Sequence, residues 1–301
     1  MSIRPVRRLV KAIPTLEGAG VHLRRAFGFG ETGDVDPFLL LDDFRNERPD
    51  DYLAGFPWHP HRGIETITYV LAGEVDHADS LGNKGTIGPG DVQWMTAGSG
   101  IIHQEMPRGN DRGQMHGFQL WANLPSSLKM TAPRYQGILS ADIPEVTDDD
   151  GTKVRVICGD FRGRSGPVDG AAAEPQYLDV RVPPGRGFSL PVETPRNALA
   201  YVFGGSGRFA NASRPLPIRT DRIGDASSME ADDADNLSLV VFDSGEEITV
   251  QAGEQGIRFL LVSGKPIREP VAWQGPIVMN TKDELRQAFE ELRAGTFLKH
   301  R

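Results

Sequence analysis

Short apolar runs separated by glycine, proline and aspartate fill the chain as far as about residue 270, and they limit the folds open to it. Eight such runs are Thr66–Leu71, Gly90–Met95, Gly117–Leu120, Lys153–Cys158, Leu178–Val182, Ala198–Phe203, Leu237–Phe242 and Arg258–Val262. Many short runs with turn residues between them are typical of a β-sandwich or β-barrel, whereas βα units alternate strands with helical patterns. The 35 glycines and 22 prolines fit the same interpretation. We therefore expect an all-β fold.

One segment near the end of the chain is the exception. The sequence Thr281-Lys-Asp-Glu284 is a capping-box pattern, in which each of the two outer side chains satisfies a free backbone N–H group. Apolar residues then recur at helical spacing, and Gly295 is placed to end the helix. The pattern predicts one short C-terminal helix whose apolar side packs across a sheet.

The length of 301 residues predicts about two domains. An acidic stretch, Asp148 to Asp150 followed by Gly151, has the composition of a solvated loop and lies near the middle of the chain. We place the domains at residues 1–145 and 146–301.

Charge and composition exclude several classes of partner. Asp and Glu number 41 against 33 Lys and Arg, so the net charge is -8, which disfavours direct contact with nucleic acid or anionic lipid. No run approaches the roughly 18 apolar residues of a membrane span. A single cysteine, Cys158, cannot form an intrachain disulfide, which suits a reducing compartment. The sequence predicts a cytoplasmic protein.

The histidines are the most informative residues, because six of the seven lie within the first 116 positions. His59 and His61 are two apart, and so are His103 and Glu105. Side chains two apart on a strand share one face, so two such pairs on two strands can converge on one metal ion. The absence of thiolate argues against a closed structural zinc site, and open coordination positions favour Fe(II), with Mn, Ni, Cu and Zn also compatible.

Glu65 has three possible roles in this constellation. If residues 59–71 form one strand, Glu65 shares the face of His59 and His61 and is a ligand, an acceptor that orients a histidine, or a base. Four residues are expected either to line the cavity or to pack in the core: Ile67, Tyr69, Trp94 and Phe118. Two more histidines, His77 and His116, lie outside the pairs and are expected to be ordinary exposed or hydrogen-bonded residues.

Three motifs carry a resemblance to a known family: DPFLLLDDF at 36–44, HPHRGIET at 59–66 and PGDVQWMTAGSGIIHQEMP at 89–107. They resemble the pirin family of the cupin superfamily, and the similarity continues to GPIVMNT at 275–281. The resemblance implies a bicupin, with two cupin-type β-barrel or jelly-roll domains in one chain. It also implies a mononuclear non-haem metal, usually iron, in the N-terminal domain.

Matched motif by motif, the resemblance implies the metal ligands His59, His61, His103 and Glu105. Glu65 matches the glutamate of the general first cupin motif, which is a ligand in other cupins, whereas pirin-like sites use the later glutamate. Residues 175–270 contain no histidine. A second cupin domain there is expected to lack the metal site and to serve packing or substrate access.

Several pirin-like proteins resemble quercetin 2,3-dioxygenases, which open a flavonol with O₂ and release CO. The resemblance implies a flavonol-like substrate and O₂ as partners, with Glu105, or Glu65 if it is not a ligand, as the general base. An alternative is a redox-sensing binding protein, in which the metal controls binding to a transcriptional or metabolic protein partner. A third is a stress protein whose substrate is not a flavonol.

Overall fold

The computed structural model describes residues 2–210 and 233–300, and most of its regular structure is β. The strands of the first half are β1 (Val6–Lys11), β2 (Ile13–Glu17), β3 (Val21–Phe27), β4 (Phe38–Asp43), β5 (Phe56–His61), β6 (Ile64–Ala72), β7 (Glu74–Asp79), β8 (Lys84–Ile87), β9 (Val92–Thr96), β10 (Ile101–Arg108), β11 (His116–Asn123) and β12 (Arg134–Ile138). Those of the second half are β13 (Glu145–Thr147), β14 (Lys153–Cys158), β15 (Asp160–Phe161), β16 (Arg164–Ser165), β17 (Gln176–Val182), β18 (Gly187–Pro191), β19 (Asn197–Phe209), β20 (Ala234–Asp235), β21 (Ser238–Phe242), β22 (Glu247–Gly264), β23 (Ala272–Gln274) and β24 (Ile277–Met279). The all-β prediction is confirmed.

The helices are short. The α-helices are α1 (Thr32–Val35) and α2 (Lys282–Arg293), and the 3₁₀ turns are Pro49–Asp51, Ser126–Leu128 and Ser140–Asp142. The predicted capping box opens α2, since Thr281 accepts a hydrogen bond from the Glu284 backbone and the Glu284 side chain accepts one from Thr281. Among the described residues, no helix is both long and apolar enough to cross a membrane.

Two sheets form the first β-domain. A seven-stranded sheet has the order β12-β9-β6-β11-β4-β3-β2, and a four-stranded sheet has the order β5-β10-β7-β8. Their inner faces meet across an apolar interior that includes Leu23, Phe44, Val70 and Val75. On β6 the even-numbered side chains point into this interior, and the odd-numbered ones point to the other side of the sheet.

The second β-domain has a nine-stranded sheet in which the main order is β1-β21-β19-β22-β17-β14-β13. Its own core is filled by apolar side chains, Phe188, Val202, Phe209 and Phe259 among them. The terminal segments cross between the domains, because the N-terminal strand β1 pairs with β21 of the second sheet. Strand β1 therefore belongs to the second sheet, although its residues lie within the predicted range 1–145.

The segment 272–298, which we call the C-terminal strap, returns to the first domain. It contains β23, β24 and α2, and it forms an apolar cluster with Ile102 of β10. Arg62, which is buried, donates hydrogen bonds to the carbonyl oxygens of Ser99 and Phe297 and pairs with Glu291 at 2.8 Å. The predicted helix therefore packs on the first domain rather than on the second.

Two similar polar contacts join the domains within a large apolar cluster. Tyr69 of β6 donates its hydroxyl to Asp179 at 2.8 Å, and Arg258 donates to both carboxylate oxygens of Asp179, at 3.0 and 2.7 Å. Tyr201 of β19 donates to Asp43 at 2.9 Å, and Asp43 is held by an arginine of its own domain. Each aspartate is paired with an arginine and hydrogen-bonded to a tyrosine, and these contacts offset the free-energy cost of removing its charge from water.

His116 lies in this interface, with its Nε2 atom 3.6 Å from Asp43 Oδ1 and its ring against Phe118 and Phe203. Burial lowers its pKa to about 4. The unfolded chain takes up this proton near the ordinary pKa of about 6.5, so the stability due to the neutral form is present above pH 6.5 and is lost as the pH falls toward 4.

We predict that His116→Gln reduces the acid sensitivity of the fold. Between pH 7 and pH 5 the wild-type free energy of unfolding should fall by about 2 kcal/mol more than that of the variant. Urea denaturation at both pH values measures this difference, with His22→Gln at an exposed position as the control. Equal losses in the wild type and His116→Gln would contradict the prediction.

Candidate metal centre

Three histidines converge at the junction of β5 and β10. The antiparallel register sets His103 opposite His59, and Ile101 opposite His61. The Nε2 atom of His59 lies 3.0 Å from Nε2 of His61 and 2.9 Å from Nε2 of His103. His61 and His103 are buried, while His59 is half-buried. The predicted spacing-two pair and the histidine from the second strand therefore lie together.

Two of the three rings have a backbone carbonyl beside Nδ1. His59 Nδ1 lies 2.8 Å from the Pro57 carbonyl oxygen, and His61 Nδ1 lies 3.2 Å from that of Pro276. A proton on each Nδ1 donates to a carbonyl and leaves Nε2 free, as in many metal-bound histidines. Burial, reinforced by the neighbouring imidazoles, lowers the pKa of His61 and of His103 well below the usual value.

The spacing of the nitrogens fits a shared cation. Imidazole nitrogens bind Zn²⁺ at about 2.0–2.1 Å, so two of them on one ion lie no more than about 4 Å apart. The observed separations of 2.9 and 3.0 Å are within that limit. Three neutral nitrogen donors also suit Fe, Cu, Ni and Zn in general. The residues present thus fit a transition-metal ion.

Glu105 lies beside the histidines and is held by the facing sheet. Its Oε2 atom is 4.0 Å from His103 Nε2. Thr68 of β6 donates its hydroxyl to Glu105 Oε1 at 2.9 Å, and the Gln119 amide of β11 donates to both carboxylate oxygens, at 3.2 and 3.0 Å. These donors fix the carboxylate, and its service as a fourth ligand or as a base stays a prediction.

Glu65 lies elsewhere. Its carboxylate accepts hydrogen bonds from the Thr96 hydroxyl at 2.8 Å and the Ala172 backbone at 3.3 Å, on the side of the sheet that faces the second domain. Burial raises the pKa of Glu65. The expectation that Glu65 shares the face of His59 and His61 is wrong, and the structure gives Glu65 no contact with the histidine cluster.

The reason is a break in the chain that the residue spacing alone does not reveal. Strand β5 ends at His61 and β6 begins at Ile64 in a different sheet, so the alternation of side chains restarts. Gly63 sits in the break with a φ of +78°, and a Cβ atom there would lie 1.9 Å from the Val278 carbonyl oxygen. Only glycine permits both this conformation and this close approach of the strap.

The predicted cavity residues also lie away from the metal centre. Four side chains pack in the apolar cluster between the domains rather than around the metal centre: Ile67, Tyr69, Trp94 and Phe118. Of the two possibilities for these residues, the structure shows core packing.

The two histidines predicted to lie outside the metal site, His77 and His116, have other contacts. His77 stacks on Tyr135 with ring centroids 5.0 Å apart, and its Nε2 lies 2.7 Å from the Tyr135 hydroxyl. His116 packs between the domains. Neither belongs to the histidine cluster, in agreement with the expectation for both.

A cavity of about 610 Å³ opens onto His59, His61 and Glu105. Its aromatic lining includes Phe29, Phe44, Tyr52, Phe56, Trp121 and Trp273, and its polar lining includes Arg25, Asp42, Thr68 and Gln119. A large, mostly apolar pocket with a few convergent polar groups is the usual form of a small-molecule site.

Sequence reasoning missed most of this lining. Asp42 could have been found, because Leu40 and Asp42 of β4 and Phe44 just after it are two positions apart, and all three line the cavity. Trp273 and Pro276 carry no such signal, since they arrive from the C-terminal strap more than 150 positions after the histidines.

Comparisons with known proteins agree with this architecture. The pirin family model matches residues 20–122, and the model of the pirin C-terminal cupin domain matches residues 177–298. A pirin-like protein of Caulobacter vibrioides is 45% identical over 298 residues, covering 99% of this chain and 100% of the relative. A Pseudomonas aeruginosa protein, provisionally named a quercetin 2,3-dioxygenase, is 41% identical over 296 residues and is covered to 97%, as is this chain.

Among solved structures, a quercetin 2,3-dioxygenase from Acinetobacter baumannii superposes with a TM-score of 0.84 at 30% identity, covering 98% of each chain. Together with the two family models, this match confirms the expected pair of cupin-type domains.

Proposed function

The chain belongs to the pirin family, a family of metal-binding cupin proteins, and on that basis we propose that it is an oxygenase of the quercetin 2,3-dioxygenase type that opens flavonols with O₂ and releases CO. One observation carries the proposal: the three-histidine cluster and Glu105 open onto an apolar cavity large enough for a polycyclic ligand. The names of the Pseudomonas and Acinetobacter relatives support it.

The residues that would hold the metal are His59, His61 and His103, with Glu105 as the fourth ligand. Fe(II) is the ion we favour, and Mn, Ni, Cu and Zn suit the same nitrogen donors. When bound, such an ion supplies a Lewis acid that lowers the pKa of the flavonol 3-hydroxyl. The cavity walls bring that hydroxyl to the histidines and exclude water from it.

In this proposal Glu105 receives the hydroxyl proton. Its Oε1 atom accepts from both Thr68 and Gln119, whereas Oε2 accepts only from Gln119, so Oε2 has the greater free capacity. The two donors hold the carboxylate in one orientation, which a base needs for proton transfer.

We predict that Glu105→Gln lowers the rate of O₂ consumption with quercetin at least about 100-fold, the usual scale for loss of a general base. The measurement is O₂ uptake and CO release by Fe(II)-loaded protein, with metal content determined for each sample. Glu65→Gln is the matched control, since Glu65 contacts the domain interface, and it should keep wild-type activity.

Wild-type protein that holds one metal ion and consumes no O₂ with any flavonol would overturn the proposed activity. A protein partner whose affinity changes between Fe(II) and Fe(III) forms would then favour the regulatory alternative.

A further inference from the structure

A row of polar side chains crosses the inner face of the seven-stranded sheet. The strand registers set Thr68 opposite Gln119, Gln119 opposite Asp42, and Asp42 opposite Arg25. All four side chains line the cavity. Neighbouring strands lie about 4.8 Å apart, so the row extends about 14 Å from β6 to β3.

The two ends of the row differ in character. At one end Thr68 and Gln119 hold Glu105 beside the histidines. At the other end Arg25 donates from Nε and Nη2 to the two carboxylate oxygens of Asp42, at 2.8 and 2.7 Å. The Arg25 Nη1 atom also lies 2.9 Å from Glu17 Oε1. The cavity thus contains two polar groups. Glu105 and its donors lie at the metal centre, and the Arg25–Asp42 ion pair lies two to three strands away.

The fold itself gives no reason for the distant pair. Apolar side chains also line the cavity on and beside the same two strands, Leu23, Leu40 and Phe44 among them. A buried ion pair is on average no more stabilising than apolar residues of the same volume. The second domain illustrates the alternative, because its core is filled by apolar side chains.

Asp42 has hydrogen-bonding capacity to spare. A carboxylate offers about four lone-pair sites. Within the described part of the chain, Arg25 supplies both hydrogen bonds that the Asp42 side chain accepts. Asp42 is 4% exposed and lines the cavity, so a ligand in the cavity lies beside its carboxylate. A donor brought by a ligand would satisfy the remaining lone pairs.

We propose that Asp42, held by Arg25, is a second anchor for the substrate and accepts a hydrogen bond from a hydroxyl on a ring remote from the metal centre. The site would therefore select aromatic substrates that carry hydroxyls at both ends. This inference rests on the proposed function, because it takes the ligand to be a flavonol. Asp42 acts in it as a specificity-determining residue, and Arg25 as a positioning residue.

The test measures binding, with metal-loaded protein kept under nitrogen so that no turnover occurs. Two ligands are compared by the absorbance change on binding: 3-hydroxyflavone, which lacks outer-ring hydroxyls, and quercetin, which has them. Wild-type protein should bind quercetin more tightly by about ten- to a hundredfold, the range of a hydrogen bond to a charged group.

Asp42→Asn should lose most of that preference and keep its affinity for 3-hydroxyflavone. A second variant, Arg25→Met with Asp42→Leu, removes both charges together and guards against misfolding from an unpaired arginine. The control is Asp76→Asn, at an exposed position outside the cavity lining.

Failure of the Asp42 anchor and failure of flavonol binding would give different results. If both Asp42 variants keep the wild-type preference for quercetin, or weaken both ligands equally, the anchor is wrong while the flavonol site stands. If wild-type protein binds neither flavonol, the proposed function fails and the anchor fails with it.

Discussion

His103→Ala is expected to lower the affinity for a divalent transition metal by more than about 100-fold, since loss of even an outer partner of a ligand costs 10- to 100-fold. His103 is buried, and its Nε2 atom lies 2.9 Å from His59 Nε2 and 4.0 Å from Glu105. Its removal therefore takes away the β10 histidine and leaves the pair on β5 with Glu105. Metal content after dialysis against a weak chelator measures the change.

His77→Ala is the sharpest control for this prediction. His77 lies on β7, directly opposite Glu105 of β10, yet it bonds to Tyr135 and stays outside the histidine cluster. The variant should keep its metal. Metal retained by a His59→Ala/His103→Ala double variant would refute the assignment of the ligands.

The parts of the site that sequence predicted are those fixed by local alternation. His59 and His61 lie on one strand, as His103 and Glu105 do, and the period of two is a property of the strand itself. The C-terminal helix was predictable for the same reason, since its capping box and Gly295 are local signals. In these cases no distant residue had to be known.

The errors arise where a distant contact sets the geometry. Glu65 follows His61 by four positions, but the break at Gly63 moves it to the other side of the sheet. That break is stabilised by Val278, more than 200 positions later. Alternation cannot be carried across such a point, and nothing in residues 59–71 reports the approach of the strap.

The cavity is a still less local property. Thr68, Gln119, Asp42 and Arg25 form one row only because four strands pair in a particular register. Each of these residues taken alone has the sequence signature of an ordinary strand position. Register is decided by the whole sheet, which is why this polar row emerges from the structure alone.

The largest effect on stability is expected from Lys129→Met. Lys129 is 2% exposed, and its ammonium donates to the Gly63 carbonyl at 2.8 Å, the Asn123 side chain at 2.5 Å and the Val278 carbonyl at 2.9 Å. Methionine fills similar space but removes the Lys129 donor from three buried acceptors, of which the Gly63 carbonyl keeps a long hydrogen bond of 3.4 Å from the Leu124 backbone. At about 1–3 kcal/mol for each unsatisfied group, we expect the free energy of unfolding to fall by about 3–5 kcal/mol. Urea denaturation measures it.

Lys153→Met is the matched control, because Lys153 forms an exposed pair with Glu145 and its replacement should change the free energy of unfolding by less than about 1 kcal/mol.

Lys129 also connects the β5–β6 break to the C-terminal strap, whose Pro276 carbonyl orients His61. Loosening the strap should therefore also weaken metal binding in Lys129→Met under conditions where the protein is still folded. Full metal affinity in a destabilised Lys129→Met would show that His61 keeps its orientation without the strap, and would confine the role of Lys129 to stability.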